Sequence, residues 1–103
     1  MAARETGGRP TVADVTREAD LARVFTEAGG LFGASFAGVV DIVGRADLRP
    51  IIEFSETEWD SQFSLILKHA FFTIKHAAPH FPSAGGTMVF VSSLETVSNL
   101  GVV

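Results

Sequence analysis

Two apolar runs of strand length, separated by a long stretch with helical periodicity, constrain the fold of this chain more than any other feature. The runs are Phe36–Gly44 and Thr87–Val91, and both are apolar almost without interruption. Continuous apolarity over a strand predicts burial on both faces, as in a parallel sheet covered by helices. Asp41 is the exception, because burying an unpaired carboxylate costs several kcal/mol. We therefore expect Asp41 where its strand emerges into a cleft.

The stretch between the two runs predicts a long helix. Ser55–Glu58 has the form of a capping box, in which a hydroxyl and a carboxylate three residues later bind backbone N–H groups. Apolar residues then recur with a period of about 3.6 as far as Ala78, and Pro79 cannot continue the helix. The apolar residues cover more than one face, which predicts contacts with both a sheet and another surface.

Two further elements are predicted before the first apolar run. Residues Thr11–Thr16 are short and β-branched, which favours a brief strand. Thr16 is suited to cap a helix that begins at Arg17, and Gly29-Gly30 is expected to end that helix. The order strand, helix, strand, helix, strand predicts an α/β fold with a parallel sheet and right-handed crossovers.

Polar residues or glycine follow each predicted strand. Asp14 lies near the end of the first strand, Asp41 and Gly44 come at the end of the second, and Ser92 and Ser93 end the third. In parallel sheets, ligands bind beyond the carboxyl ends of the strands. We therefore expect one cleft that receives groups from all three strands.

Composition limits the classes of function. The 103 residues allow one domain at most. Eight Lys and Arg against twelve Asp and Glu, without a basic cluster, argue against nucleic acid as a partner. No apolar stretch approaches the roughly 20 residues of a membrane-spanning helix, and the first ten residues lack the apolar core of a signal peptide, so we expect a cytoplasmic protein. The chain has no cysteine, which excludes disulfides and thiolate chemistry.

Three histidines, His69, His76 and His80, lie near the end of the long predicted helix. Their spacing is partly helical, but Pro79 breaks the helix between the last two and no carboxylate joins them. We therefore predict no metal site, and we expect these side chains to face solvent or an interface.

Several segments, in order and with compatible spacing, resemble the central part of the short-chain dehydrogenases/reductases. Ala13–Thr16 is similar to the Asp-Val-Thr segment after the family's third strand. Phe32-Gly33 and Val39–Gly44 resemble the segment that leads through the fourth strand to Asn-Asn-Ala-Gly. Ser55–Asp60 is similar to the start of the family's long interface helix, and Val89–Ser93 to the end of its fifth strand. The resemblance implies a partial Rossmann-like parallel sheet, with strands equivalent to the third, fourth and fifth, in a single incomplete domain over residues 1–103.

The resemblance also implies a chemistry. Short-chain dehydrogenases/reductases oxidise alcohols or reduce carbonyls with NAD or NADP. By position, Ser93 corresponds to the catalytic serine. Asp14 and Val15 correspond to residues that meet the adenine of the cofactor, and Asp41 and Gly44 belong to the cofactor-side loop after the fourth strand. The substrate class implied is a small-molecule alcohol or carbonyl, and the Ser55–Ala78 helix implies a homo-oligomer.

The chain departs from the family pattern in four places. It has no glycine-rich turn for the cofactor pyrophosphate and no Tyr-x-x-x-Lys. The asparagine of the family's helix falls on Ile66, which cannot hold a water, and Asn-Asn-Ala-Gly reads Asp41–Gly44. We therefore predict that the isolated chain binds no NAD(P) measurably and turns over no alcohol. The strand order 3-2-1-4-5-6-7 that the resemblance implies would leave the first predicted strand without neighbours, so we also expect poor packing around Thr11–Val15.

Other interpretations remain open. The chain also fits a noncatalytic remnant of the family, or an interaction segment that uses the long amphipathic helix. Single residues have structural alternatives too. Asp14 is suited to capping the following helix, Asp41 fits a strand-end cap as well as a loop anchor, and Ser93 fits a turn cap. Gly44 fits a close backbone approach or a positive φ.

Overall fold

Helices pack on one face of a two-stranded parallel sheet in this computed structural model, which describes residues 7–45 and 49–92. The elements in chain order are α1 (Glu18–Phe32), β1 (Gly38–Asp41), α2 (Glu56–Phe63), a π-helical segment (Ser64–Lys68), α3 (His69–Ala77) and β2 (Thr87–Phe90). Short 3-10 turns occupy Gly33–Ser35, Ile51–Glu53 and Ala78–His80. The predicted α/β class with a partial Rossmann-like parallel sheet is confirmed. Within the described ranges, no helix has the length and apolarity needed to cross a membrane.

The core lies between α1, α3 and the inner face of the sheet. Its buried residues are Leu21, Phe25, Phe36, Phe72 and Ala77. Val39 from β1 and Met88 from β2 pack against this cluster. The ring of Phe36 meets the edge of the Phe25 ring at a centroid distance of 6.4 Å and lies 5.3 Å from the Phe81 ring. Aromatic contacts therefore connect α1 with the turn that follows α3.

The parallel pairing predicted from the two apolar runs is confirmed. Gly38 lies opposite Thr87 and Asp41 opposite Phe90. The prediction that both faces are buried is wrong, because Val40 is 70% exposed and Val89 is also exposed. Helices cover the face that carries Val39, whereas nothing in the described parts of the chain covers the opposite face.

The strand predicted over Thr11–Thr16 is absent, and the segment is irregular. A strand requires a neighbour for its hydrogen-bond ladder, and neither β1 nor β2 lies beside this segment. Instead, the Arg23 guanidinium donates to the carbonyl oxygen of Val12 at 2.7 Å. The poor packing expected here is seen at Val12, which is 92% exposed, while Val15 packs against the core.

The start of α1 differs from the prediction by one residue. The N-cap is Arg17, and no side chain caps the helix there. Thr16 instead donates its backbone N–H and its hydroxyl to Oδ1 of Asp14, at 2.9 and 2.6 Å. The prediction that Thr16 is the N-cap is therefore wrong, because its hydroxyl is used in the turn that precedes the helix.

The glycine pair Gly29-Gly30 does not end α1, which continues to Phe32. A glycine inside a helix costs only about 1 kcal/mol relative to alanine, which tertiary contacts can offset. Gly29 lies against His80, since a Cβ there would be 2.4 Å from Nδ1 of that ring. The helix ends at Gly33, whose φ of 54° and ψ of −129° suit a residue without a Cβ.

The N-cap predicted at Ser55 is confirmed, but the Glu58 carboxylate accepts from the Ser55 hydroxyl rather than from a backbone N–H group. The Glu58 backbone N–H donates to Oγ of Ser55 at 3.1 Å, and the Ser55 hydroxyl donates to Oε1 of Glu58 at 2.9 Å. The long helix expected from here is not regular, because the π-helical segment separates α2 from α3. Regular α-helix ends at Ala77, and Pro79 lies in the following 3-10 turn.

Charged side chains connect the start of α1 to the end of α3. Lys75 Nζ and His76 Nε2 lie 2.6 and 2.8 Å from Oε2 of Glu18. The hydrogen bonds from Lys75 and then His76 lower the pKa of the Glu18 carboxyl. These partly exposed contacts link α1 to α3 beside the apolar core.

We expect opposite effects from alanine at two glycines of α1. Gly33→Ala should lower the free energy of unfolding by about 1–3 kcal/mol, because the backbone there favours glycine. Gly30→Ala is the matched control. It lies inside the helix with open space around the added Cβ, so it should raise the free energy of unfolding by about 1 kcal/mol. Urea denaturation followed by circular dichroism measures both changes. Equal effects of the two substitutions would contradict the observed helix end.

Candidate functional site at the carboxyl edge of the sheet

Asp41 ends β1 with a buried carboxylate, whose residue is 8% exposed. Its oxygens Oδ1 and Oδ2 lie 2.9 and 2.8 Å from Nε2 of His69, and the Thr73 hydroxyl donates to Oδ2 at 3.5 Å. His69 and Thr73 are one turn apart on α3 and are both buried. The expectation that Asp41 opens into a cleft is wrong, because α3 supplies partners that make its burial tolerable.

The same carboxylate caps the end of β1. The backbone N–H of Val43 donates to Oδ1 of Asp41 at 3.1 Å, two residues further along. This bond is the strand-end cap that the sequence allowed, and it also anchors the start of the following loop. Gly44 lies in that loop. Its φ is not positive, and a Cβ there would be 3.8 Å from Cδ1 of Ile66, an ordinary contact. Neither conformation nor close packing therefore requires glycine at position 44.

His69 connects the strand end to the π-helical segment. Its Nδ1 lies within hydrogen-bond distance of the carbonyl oxygen of Leu65. Isolated π-helical turns inside α-helices are rare and often occur at functional sites. The prediction that His69 faces solvent or an interface is wrong, since the residue is 3% exposed. One signal in the sequence could have identified the role of His69. A single acid in a strand of buried type needs a basic partner, and the adjacent helix is where that partner would lie.

The other two histidines are partly buried. His76 binds Glu18 as described above, and the His80 ring lies edge-on to Phe36 at 6.3 Å. Both contacts are with other parts of the same chain. Over the ranges that the structure describes, no group of three or more His, Asp or Glu side chains is arranged to hold a metal ion.

A polar cleft of about 510 Å³ lies beside the loop that follows β1. Its walls come from the segment before α1, from that loop, and from the helix between positions 57 and 65. The lining residues are Asp14, Thr16, Arg45, Thr57, Asp60, Ser61, Ser64 and Leu65. We call this space the polar cleft. It combines carboxylates, hydroxyls and one guanidinium, which suits a polar ligand with hydrogen-bonding groups.

The predicted site residues are only partly brought together. Asp14 lines the polar cleft, and Gly44 directly precedes Arg45 in its wall. Asp41 is turned toward α3, and Val15 packs against the core. Ser93 lies outside the described residues.

Asp14 has a structural role in addition to its place in the polar cleft. Its carbonyl oxygen accepts from the Arg17 backbone N–H at 3.1 Å, and its own N–H donates to Oδ2 of Asp20 at 2.8 Å. Hydrogen bonds from the Thr16 side chain and then the Thr16 backbone lower the pKa of the Asp14 carboxyl. Asp14 is therefore held ionised in a fixed orientation at the start of α1.

We expect the titration of Asp14 to depend on the Thr16 hydroxyl. The pKa of Asp14 should lie below its usual 3.8 and move toward that value in Thr16→Val, because the largest stabilising bond to the carboxylate is lost. Thr16→Ser keeps the hydroxyl and should leave the pKa low. Carboxyl ¹³C NMR measures both.

A linked change in stability is expected from the same bond. Because folding lowers the pKa of Asp14, the bond stabilises the folded chain at pH values above the pKa of Asp14 in the unfolded state. This stabilisation is lost as the pH falls through the pKa of Asp14 in the folded state. Identical titration curves of the Asp14 carboxyl in Thr16→Val and Thr16→Ser would contradict a role for the Thr16 hydroxyl.

An apolar groove of about 930 Å³ runs along the exposed side of α2, the π-helical segment and α3. Its apolar lining is Trp59, Phe63, Leu67, Ala70, Phe71 and Ile74. The rings of Trp59 and Phe63 are 4.7 Å apart. This face, which we call the helix groove, is the second apolar surface predicted for the long helix.

Comparison with known proteins identifies the family. The sequence matches the family described as enoyl-(acyl carrier protein) reductase over residues 1–101. A search of curated proteins gave no significant match. Solved structures resemble the fold closely, and the chain therefore belongs to the short-chain dehydrogenase/reductase family, as its motifs predicted.

Three of these structures show how much of a relative the chain covers. A protein described as a short-chain dehydrogenase/reductase from Burkholderia xenovorans has a TM-score of 0.84 and 26% identity, over 96% of this chain and 40% of that chain. One from Mycobacterium ulcerans has a TM-score of 0.82 and 26% identity, over 94% and 36%. One from Serratia marcescens, at 21% identity and a TM-score of 0.83 over 96% and 40%, shows the shared fold alone. The chain thus spans less than half the length of these relatives.

Proposed function

We propose that this chain is the central segment of a longer, cytoplasmic NAD(P)-dependent oxidoreductase that acts on a small alcohol or carbonyl. Family membership supports the class of reaction, and the coverage of 36–40% of two relatives supports a longer parent. The main structural support for the proposal is the polar cleft beside the end of β1, which has Asp14 in its wall. In open parallel sheets, this edge is where nucleotide cofactors bind.

The described residues fit one part of such a cofactor. Asp14 and Val15 would meet the adenine, with Asp14 held ionised at the cleft, and the loop carrying Gly44 would lie alongside. Asp41 would contribute to the cofactor site only by holding this loop in place, because its own carboxylate is bonded to His69. Over residues 7–45 and 49–92, no glycine-rich turn joins a strand to a helix, so nothing described there would hold the pyrophosphate. The fit is therefore limited to the adenosine side.

The nicotinamide ring supplies hydride transfer when the cofactor is bound. In this proposal Ser93 would donate a hydrogen bond to the substrate oxygen. A serine hydroxyl does not transfer that proton without an activating base, and the chain contains no tyrosine. Ile66 is apolar where the family has asparagine. We therefore propose that the isolated chain is catalytically inactive.

Calorimetric titration with NAD⁺ and NADP⁺ tests the proposed inactivity. We expect no saturable heat, since the contacts to the pyrophosphate are missing. Saturable binding in the micromolar range would overturn this part of the proposal. Asp14→Ala is then the informative variant. Loss of that binding in the variant would place the cofactor in the polar cleft, whereas unchanged binding would place it elsewhere.

A second candidate function is that of a noncatalytic interaction segment, and the helix groove favours it. Leu67 is 61% exposed and Phe71 is 57% exposed, which is unusual for large apolar side chains that share one face. We propose that the groove packs against a second copy of the chain. The helix groove and the polar cleft share Asp60 and Ser64 in their linings, so the proposed pairing surface adjoins the cleft.

Leu67→Glu should weaken self-association by at least about tenfold, because a charge would have to be buried against apolar side chains. Ile52→Glu is the control, since Ile52 is 91% exposed and lies outside the helix groove. Sedimentation equilibrium over a range of concentrations measures the association constant of each variant. A monomeric wild-type chain, or equal weakening by both substitutions, would exclude this surface.

A further inference from the structure

The hydrogen bonds of His69 and Asp41 define where their protons lie. Nδ1 of His69 faces the carbonyl oxygen of Leu65, which only accepts, so Nδ1 must carry a proton. Nε2 faces both carboxylate oxygens of Asp41 at 2.9 and 2.8 Å, so a proton must also lie between these groups. The pair therefore contains one proton more than a neutral imidazole beside a carboxylate.

The remaining partners of Asp41 decide which group carries that proton. Oδ1 accepts from the Val43 backbone N–H at 3.1 Å, and Oδ2 accepts from the Thr73 hydroxyl at 3.5 Å. Bonds donated to both oxygens favour the ionised carboxylate. Both oxygens of Asp41 therefore accept hydrogen bonds from the chain in addition to facing Nε2 of His69, at the buried carboxyl end of β1.

The pair is connected to two walls of the polar cleft. On one side, Asp41 binds the N–H of Val43, two residues before Arg45, which lines the cleft. On the other side, His69 binds the carbonyl of Leu65, which also lines the cleft. Between the walls, the side chain near Gly44 is that of Ile66, which is apolar and can form no hydrogen bond with the loop. The buried Asp41–His69 pair therefore joins the loop to the helix at the point where the cleft is formed.

We propose that Asp41 and His69 are positioning residues, whose buried imidazolium–carboxylate pair fixes the loop 42–45 against the π-helical segment and so sets the width of the polar cleft. The use of the cleft for a cofactor rests on the proposed function. The charge state of the pair and its hold on the loop do not, and both can be measured in the chain without any ligand.

The first test is the protonation of His69 by ¹⁵N NMR near neutral pH. In the wild-type chain, both ring nitrogens should have the shifts of protonated nitrogens. In Asp41→Asn, the side-chain amide can donate to Nε2 while its oxygen still accepts from Val43. We therefore expect Nε2 alone to become unprotonated, with the folded structure kept. An unprotonated Nε2 or Nδ1 in the wild type, or an unchanged Nε2 in Asp41→Asn, would overturn the proposal.

The second test is amide exchange at Val43. His69→Phe keeps a ring but leaves the carboxylate without its cation, so exchange at Val43 should accelerate by about tenfold or more, with shifted Gly44 and Arg45 signals. His76→Phe is the matched control, since it lies on α3 outside this network. Asp41→Asn should keep Val43 protected. Unchanged exchange in His69→Phe, or equal acceleration in both histidine variants, would contradict the positioning role. If His69→Phe fails to fold, Asp41→Asn still tests the pair, since an unchanged Nε2 signal or loss of protection at Val43 in that variant would overturn the proposal.

Discussion

A carboxylate buried at the end of a strand must find partners, and this requirement determines how α3 lies on the sheet. Asp41 is nearly inaccessible, and His69 and Thr73, one turn apart, both reach its oxygens. Removing one partner of such a buried pair typically costs about 3–5 kcal/mol, a large part of a small domain's stability. The helix face that meets Asp41 therefore cannot rotate away. Phe72, next to Thr73 on α3, joins the core on the same side of the sheet.

Local signals in the sequence predicted the elements whose structure is decided locally. The N-cap at Ser55 needs only residues within one turn, and it forms as expected. The end of α1 depends on contacts distant in sequence. Gly29 stays in the helix because it lies against His80, so the glycine pair does not act as a stop. The segment Thr11–Thr16 has strand composition but no neighbouring strand, so its backbone bonds go to Arg23 and to its own turn.

The candidate site was predicted in part, for the same reason. Asp41 stands out as a single acid in an apolar strand, and Asp14 was identified through its place in a family motif, although the strand predicted there does not form. His69 was missed because its orientation depends on the π-helical segment, which changes the face that later residues present and which periodicity did not predict. The family was predicted correctly from motifs alone, since these are short and local. The roles of Ser93, Val15 and Gly44 at a cofactor remain predictions, because they depend on contacts outside the described residues.

In the proposed function, this chain is one segment of a longer oxidoreductase whose remaining parts complete the cofactor site. Determining the coding sequence on both sides of residues 1–103 tests it most directly. For a longer oxidoreductase we expect a glycine-rich strand-turn-helix encoded in frame upstream and a Tyr-x-x-x-Lys motif shortly after Val103. Unrelated sequence or stop codons on both sides would contradict it, and would leave the helix groove as the basis for a noncatalytic role.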